Sequence, residues 1–249
     1  MPTVEEYLAR IGYAGSIEPT TEGLRALHRA HMLTVPFENL DIGLKRGISC
    51  DAESAVRKLV ERRRGGFCYE LNGAFAWLLR ELGFKVSMLS ARVGRSDGSL
   101  GAEFDHLTLK VDFAEPWLAD VGFGDSFVEP LRLVPVIEQS EGPVRYRLMD
   151  SQTGMQLEKF QPEGWKLEYA FTLRSRELSE FAGMCRFHQT SPESHFTRNR
   201  ICSLALPDGR ITLSGLKLIT TREGKREERE LSSEEEWREI LRREFGVEL

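Results

Sequence analysis

Apolar residues recur at helical spacing as far as Gly83, and from Phe84 onward they alternate. This single change of period constrains the fold more than any other feature. The first helix runs from Val4 and ends at Gly12. A second opens at Thr20-Thr21, turns Leu24, Leu27 and Met32 towards a core and stops near Pro36. Asp51 is placed to N-cap a third, carrying Ala55, Val56, Leu59 and Val60. After the break at Gly65-Gly66, a helix from about Cys68 carries Leu71, Phe75, Leu78, Leu79 and Leu82 and closes on Gly83. Residues 85–89, 106–111 and 117–121 then read as strands, as do 144–150, 155–160 and 165–173. Pro207-Asp208-Gly209 is a turn, with strand-like residues across 210–220. The charged run 222–236 reads as a solvated hairpin loop plus the first turn of a last helix. There Ser233 and Glu236 form a capping box ahead of the buried Trp237, Ile240, Leu241 and Phe245. Helices, then strands, then a mixed tail indicate an α+β fold and argue against a doubly wound sheet.

The chain has 249 residues, 41% of them hydrophobic, enough for a substantial core and one to three domains. Its net charge of −5 and the lack of a basic stripe argue against a nucleic-acid partner. Every apolar run is broken by charge within a few residues, so no membrane span is expected. The first residues are acidic and have none of the regions of an export signal, which predicts a cytoplasmic protein. In that compartment the four cysteines stay reduced. His28 and His31 are three apart on a helix, but no further ligand accompanies them. They read as helix-surface or cap residues, and no metal is expected.

The stretch Arg64-Gly65-Gly66-Phe67-Cys68 sets a thiol at the start of a helix. Unsatisfied N–H groups and the helix dipole favour thiolate there, with a pKa as low as ~3.5–7.5 where an imidazolium is close. The two glycines would let the backbone approach a ligand closely. A small buried core cysteine is the plain alternative. A base and an orienting group would decide between them. His106 begins a strand, and a hairpin about Phe113 sets His106 opposite Asp120, Thr108 opposite Leu118 and Lys110 opposite Pro116. Opposed side chains share a face, so Asp120 can hold one ring nitrogen of His106 and leave the other for the thiol. Slipping the register by one residue would separate them. Glu38 and Arg64 are expected to pair near this site as a structural ion pair.

Three blocks now carry a resemblance: Val35-Pro36-Phe37-Glu38-Asn39-Leu40, then Arg64 to Asn72, then Asp120-Val121-Gly122-Phe123-Gly124. Their order and spacing resemble the arylamine N-acetyltransferases, across essentially the whole chain. The resemblance implies a catalytic triad of Cys68, His106 and Asp120, with Phe37, Phe67, Phe123 and Gly124 at the acceptor pocket. It implies acetyl-CoA as the acetyl donor and an arylamine, arylhydrazine or N-hydroxyarylamine as acceptor, in a monomer or homodimer without a metal. It further implies a helical bundle (1–83), an antiparallel β-barrel (84–181) and an α/β lid (182–249), the first two resembling the cysteine-protease and transglutaminase core. The cysteine, histidine and aspartate would equally suit an amide synthase taking carrier-bound acyl chains, or a thiol hydrolase. No P-loop or GxGxxG locates the CoA phosphates; the loop-like residues 98–104 could contribute backbone donors to them.

Overall fold

A computed structural model describes residues 1–249. Five helices come first: α1 (Val4–Arg10), α2 (Thr21–Thr34), α3 (Leu40–Gly43), α4 (Ala52–Val60) and α5 (Cys68–Glu81). Their starts are chemically marked. Thr20 Oγ1 accepts the Gly23 N–H, and Asp51 accepts the Ser54 N–H at 2.7 Å. Nearly every residue of α5 is buried, because the other helices and the barrel cover it on all sides.

The short β1 (Phe37–Glu38) lies among these helices. The barrel follows as β2 (Lys85–Val93), β3 (His106–Asp112), β4 (Trp117–Ala119), β5 (Leu131–Arg132), β6 (Glu138–Glu141), β7 (Val144–Ser151), β8 (Gly154–Gln161) and β9 (Gly164–Arg176). These eight antiparallel strands are ordered β5-β4-β3-β2-β9-β8-β7-β6. The two edges almost meet, since Arg132 N–H donates to Gln139 Oε1 at 2.7 Å and Gln139 Nε2 donates back to the Arg132 carbonyl. Leu118, Phe127, Tyr146, Leu148, Leu157 and Tyr169 fill the inside. Leu107, Leu109 and Val111 of β3 join the helical core instead, so α5 packs directly on that strand.

The last third contains α6 (Ala182–Thr190), α7 (His195–Arg198), β10 (Ile201–Leu206), β11 (Gly209–Ser214), β12 (Lys217–Arg222), β13 (Lys225–Glu230) and α8 (Glu234–Phe245). Its sheet is ordered β1-β10-β11-β12-β13, with Phe37 opposite Ser203. The N-terminal part therefore lends this sheet an edge strand. The architecture is the expected α+β arrangement of helices, antiparallel barrel and α/β lid. No helix is long and apolar enough to cross a membrane.

Several expectations change. The strand drawn over 117–121 stops at Ala119, and Lys110 faces Leu118 instead of Pro116, so the hairpin register differs by two residues. The even shift keeps both side-chain sets on their faces. The charged run 222–236 contains a full strand, β13, where Lys217 opposes Glu230 and Thr221 opposes Arg226. All six residues of β13 are exposed, so there was no apolar alternation to reveal it. At α8 only half of the expected capping box forms. Ser233 Oγ accepts the Glu236 N–H, but the Glu236 carboxylate accepts from Ser232. His28 and His31 are not surface or cap residues; both are fully buried.

Candidate active site

The two glycines before Cys68 meet protein, not an open ligand site. A Cβ on Gly65 would lie 1.8 Å from the Pro36 carbonyl oxygen, and one on Gly66 would press on Glu70. The Glu38 N–H donates to the Gly66 carbonyl at 2.8 Å, tying β1 to the start of α5. Phe67 is the N-cap residue of that helix, with its own N–H donated to Glu70 Oε2. Cys68 is the first helical residue, so its N–H has no acceptor within the helix.

Because β4 ends at Ala119, the first residues of β3, paired with β2 on one edge, have no strand on the other. Residues of α5 take those positions. The Leu107 N–H favours the Cys68 anion, and the Leu107 carbonyl accepts from Asn72 Nδ2 at 2.6 Å. Cys68 and Asn72 are one helical turn apart on the same face of α5. Asn72 also donates to Asp120 Oδ1 at 2.9 Å and accepts the Val121 N–H at 3.0 Å. This close approach needs Gly122, where a Cβ would lie 2.8 Å from Cys68 Cα and 2.7 Å from Asn72 Nδ2.

His106 and Asp120 are diagonal neighbours on one face, not directly opposed. Diagonal side chains still reach each other, and His106 Nε2 lies 2.7 Å from Asp120 Oδ2. The same oxygen accepts from the Tyr169 hydroxyl at 2.9 Å, and Oδ1 also accepts the Gly122 N–H at 3.0 Å. Asp120 is thus ringed by four donors. Burial raises its carboxyl, but His106, Asn72 and Gly122 outweigh that and hold it below the ordinary range. With Nε2 committed, Nδ1 is the ring nitrogen left to act. The Phe123 ring packs edge-on to His106 at 5.0 Å between centroids.

The thiol differs from the sequence expectation. Burial pushes Cys68 well up, and Cys185, Asp120 and Asp105 add to this against the Leu107 N–H. The helix dipole alone therefore does not leave a free thiolate here. No hydrogen bond joins the sulfur to His106 in this structure; nucleophile–base contacts commonly tighten only with substrate in place. All four cysteines are unpaired.

Glu38 and Arg64 do pair, Arg64 Nη2 lying 2.7 Å from Glu38 Oε1, but they belong to a larger buried set. Lys58 Nζ is 2.8 Å from both Asp41 Oδ2 and Glu70 Oε1 and 3.6 Å from Glu38. Burial raises Glu70 to about 7 despite Lys58. The network braces the start of α5 against β1 and α4.

A cavity of about 1410 Å³ opens over these groups. Cys68, His106, Phe37, Phe123 and Gly124 line it; none of residues 98–104 does. Phe67 does not reach it. It is fully buried, edge-on to Tyr69 and Phe196, because its N-cap position turns the ring into the core. Phe196 of α7 takes part in the wall instead. Sequence reasoning passed over Asn72, Tyr169, Lys58, Asp41 and Glu70 and read His28 as a surface or cap residue. Asn72 and His28 had a signal: Asn72 stands four residues after Cys68, and Leu24, Leu27, His28 and His31 share one apolar helical face.

A family profile for N-acetyltransferases matches residues 20–249. An arylamine N-acetyltransferase of Escherichia coli is 35% identical over 250 residues, covering 99% of this chain and 89% of the relative. A Salmonella typhimurium protein named arylamine N-acetyltransferase / N-hydroxyarylamine O-acetyltransferase is 38% identical, covering 83% of this chain and 74% of its own length. Among solved structures, the Mycobacterium marinum arylamine N-acetyltransferase in complex with CoA superposes with a TM-score of 0.92 at 34% identity, covering 98% of this chain and 93% of that one.

Proposed function

This chain belongs to the arylamine N-acetyltransferase family, and from that premise we propose that it carries acetyl groups from acetyl-CoA to aromatic amines, hydrazines or N-hydroxyarylamines through a thioester on Cys68. The observation that carries this reading is the pairing of His106 Nε2 with Asp120, which leaves Nδ1 as the acceptor nitrogen on a cavity wall shared with Cys68. The Cys68 proton passes to Nδ1 as the sulfur attacks the donor's carbonyl carbon. The C–S bond to CoA breaks, and the CoA sulfur takes that proton from His106. In the second half the amine nitrogen attacks the acetyl carbon, gives its proton to Nδ1, and expels the Cys68 sulfur, which recovers the proton. The free Cys68 N–H at the start of α5 faces the developing oxyanion. Phe37, Phe123 and Gly124 form the acceptor wall, and apolar surroundings protect the acetyl-enzyme from water.

The same reading divides the chain into nucleophile (1–83), base and orienter (84–181) and cover (182–249). Four unpaired thiols fit a cytoplasmic, reducing compartment. The test is an intact-mass spectrum after mixing with acetyl-CoA. One acetyl group is expected on Cys68, absent from Cys68→Ala and discharged by an added arylhydrazine with release of the N-acetyl product. Turnover by Cys68→Ala, or no adduct on the wild type, overturns the proposal.

A further inference from the structure

His28 lies on α2 and touches no part of the cavity directly. Its ring is fully buried, stacked on Phe127 at 5.7 Å and edge-on to Phe75 at 5.8 Å, so it has no freedom to turn. Both ring nitrogens are used. The Asp120 N–H donates to Nε2 at 3.0 Å, and Nδ1 lies 2.7 Å from the Val128 carbonyl oxygen. An amide N–H can only donate and a carbonyl can only accept. One neutral tautomer alone satisfies both, with the hydrogen on Nδ1. Burial, opposed by Val128 and Asp120, brings this histidine down to about 4, so it stays neutral above that.

The two partners are the two ends of one segment. The β3–β4 ladder stops at the Leu109–Ala119 pair, so the Asp120 N–H has no strand to bond and would be a buried orphan without His28. Residues 120–128 then carry the carboxylate at one end, Phe123 and Gly124 on the cavity wall, and Val128 at the other end. We propose that His28 is a positioning residue that clamps both ends of this segment, fixing where Asp120 holds His106 and where Phe123 and Gly124 border the cavity. The proposal rests on the triad reading above, and its test separates the two.

Four proteins are compared: wild type, His28→Gln, His28→Asn and His28→Leu, with Asp120→Asn as a reference. Glutamine can set an oxygen where Nε2 accepted from Asp120. Asparagine can reach Val128 only, and leucine replaces the ring's volume with no polar atom. The expected order in kcat is wild type, then Gln within about tenfold, then Asn and Leu lower by roughly a hundredfold, with acetyl-CoA KM little changed. Simple core packing predicts the reverse, with Leu the best substitute. A Leu variant at or above the Gln variant in kcat overturns the proposal, whatever its melting temperature. Should the Leu or Asn variant fail to fold, 15N spectra of wild-type histidines decide: His28 must carry its hydrogen on Nδ1 at pH 7, and the opposite tautomer refutes the clamp. If Asp120→Asn retains full activity, the triad reading fails; if Asp120→Asn is inactive while His28→Leu is normal, only the clamp fails.

Discussion

Replacing Asp120 by asparagine tests whether the carboxylate fixes the imidazole. Four donors surround its two oxygens: Asn72 and Gly122 at Oδ1, His106 and Tyr169 at Oδ2. An amide offers one acceptor and one donor, so one side must present N–H to two donors. At the Oδ1 side neither partner can adapt. Gly122 N–H is backbone, and turning Asn72 would break its bonds to Leu107 and Val121. Two stranded buried donors there cost ~1–3 kcal/mol each. At the Oδ2 side the Tyr169 hydroxyl can rotate towards Thr108, 3.3 Å away, and His106 can change tautomer. The amide NH2 therefore settles at Oδ2, and His106 accepts on Nε2 and carries its hydrogen on Nδ1. The nitrogen that serves as base in the proposed reaction then already carries a hydrogen. An orienting aspartate changed to asparagine with this consequence lowers kcat about 10⁴-fold, which is roughly 5 kcal/mol of barrier. The fold should lose only ~1–3 kcal/mol, from the mismatched contacts that remain. The assay is CoA release by a thiol probe from pH 6 to 10, run beside thermal unfolding. The loss should persist to pH 10, because burial holds the Cys68 thiol well above its usual range and the anion does not form without a base. A folded Asp120→Asn protein within tenfold of wild type at pH 7 refutes the reasoning.

Acid should weaken the fold through the buried histidines. His28 ionises at about 4 when folded against 6.5 otherwise, and burial lowers His31 likewise. The unfolded chain takes up these protons first, so stability present above pH 6.5 is lost as pH falls towards 4. From 6.5 to 4 is 2.5 units, or about 3 kcal/mol for His28. Glu70, raised to about 7, runs the other way, so the contribution is read as the difference in urea midpoint between wild type and His28→Gln at pH 7 and pH 4; equal pH slopes would contradict it. Lys58→Met leaves Glu70 without a cation and Glu38 and Asp41 with Arg64 and the exposed Arg46 only, and should cost ~3–5 kcal/mol, roughly 6–20 °C in Tm by calorimetry. Gly122→Ala forces a methyl against Cys68 Cα and the Asn72 amide, and should cost ~1–3 kcal/mol while slowing acetylation of Cys68 in a single-turnover mass assay.

Helices α1, α2, α4, α5 and α8 were legible from an apolar face and marked ends, as Thr20, Asp51 and Gly83 illustrate, whereas the short α3, α6 and α7 went unread. The barrel strands β2, β3, β4, β7, β8 and β9 were legible because each has buried apolar residues, whereas the two-residue β5 and β6, which has no buried residue, went unread. What alternation does not encode is where pairing stops. The residues of 117–121 all suit a strand, yet the ladder ends at Ala119, and much of the site depends on that end. It frees the Leu107 backbone for Cys68 and Asn72 and leaves the Asp120 N–H for His28. Tyr169 comes from β9, 49 residues beyond Asp120, and no local pattern links the two. β13 was hidden for the opposite reason, since a strand with both faces exposed needs no apolar residue.

The burial of Cys68 bears on why a thioester should form at all. A sulfur anion here is opposed by desolvation and by Asp120 and Asp105, with one N–H in its favour. A neutral thioester on the same sulfur carries none of that penalty. In the proposed reaction the cavity therefore disfavours the free thiolate and leaves the acetyl-enzyme unharmed, so the anion is needed only while His106 holds its proton. That places the demand on the imidazole, whose Nδ1 must be ready as an acceptor at the instant of attack. Asp120 holds Nε2, Tyr169 and Asn72 hold Asp120, and the backbone of Asp120 is held in turn from α2. A deeply buried nucleophile thus accounts for the number of contacts converging on one carboxylate: where the surroundings do not stabilise the charge, the base must already be aligned to take the proton.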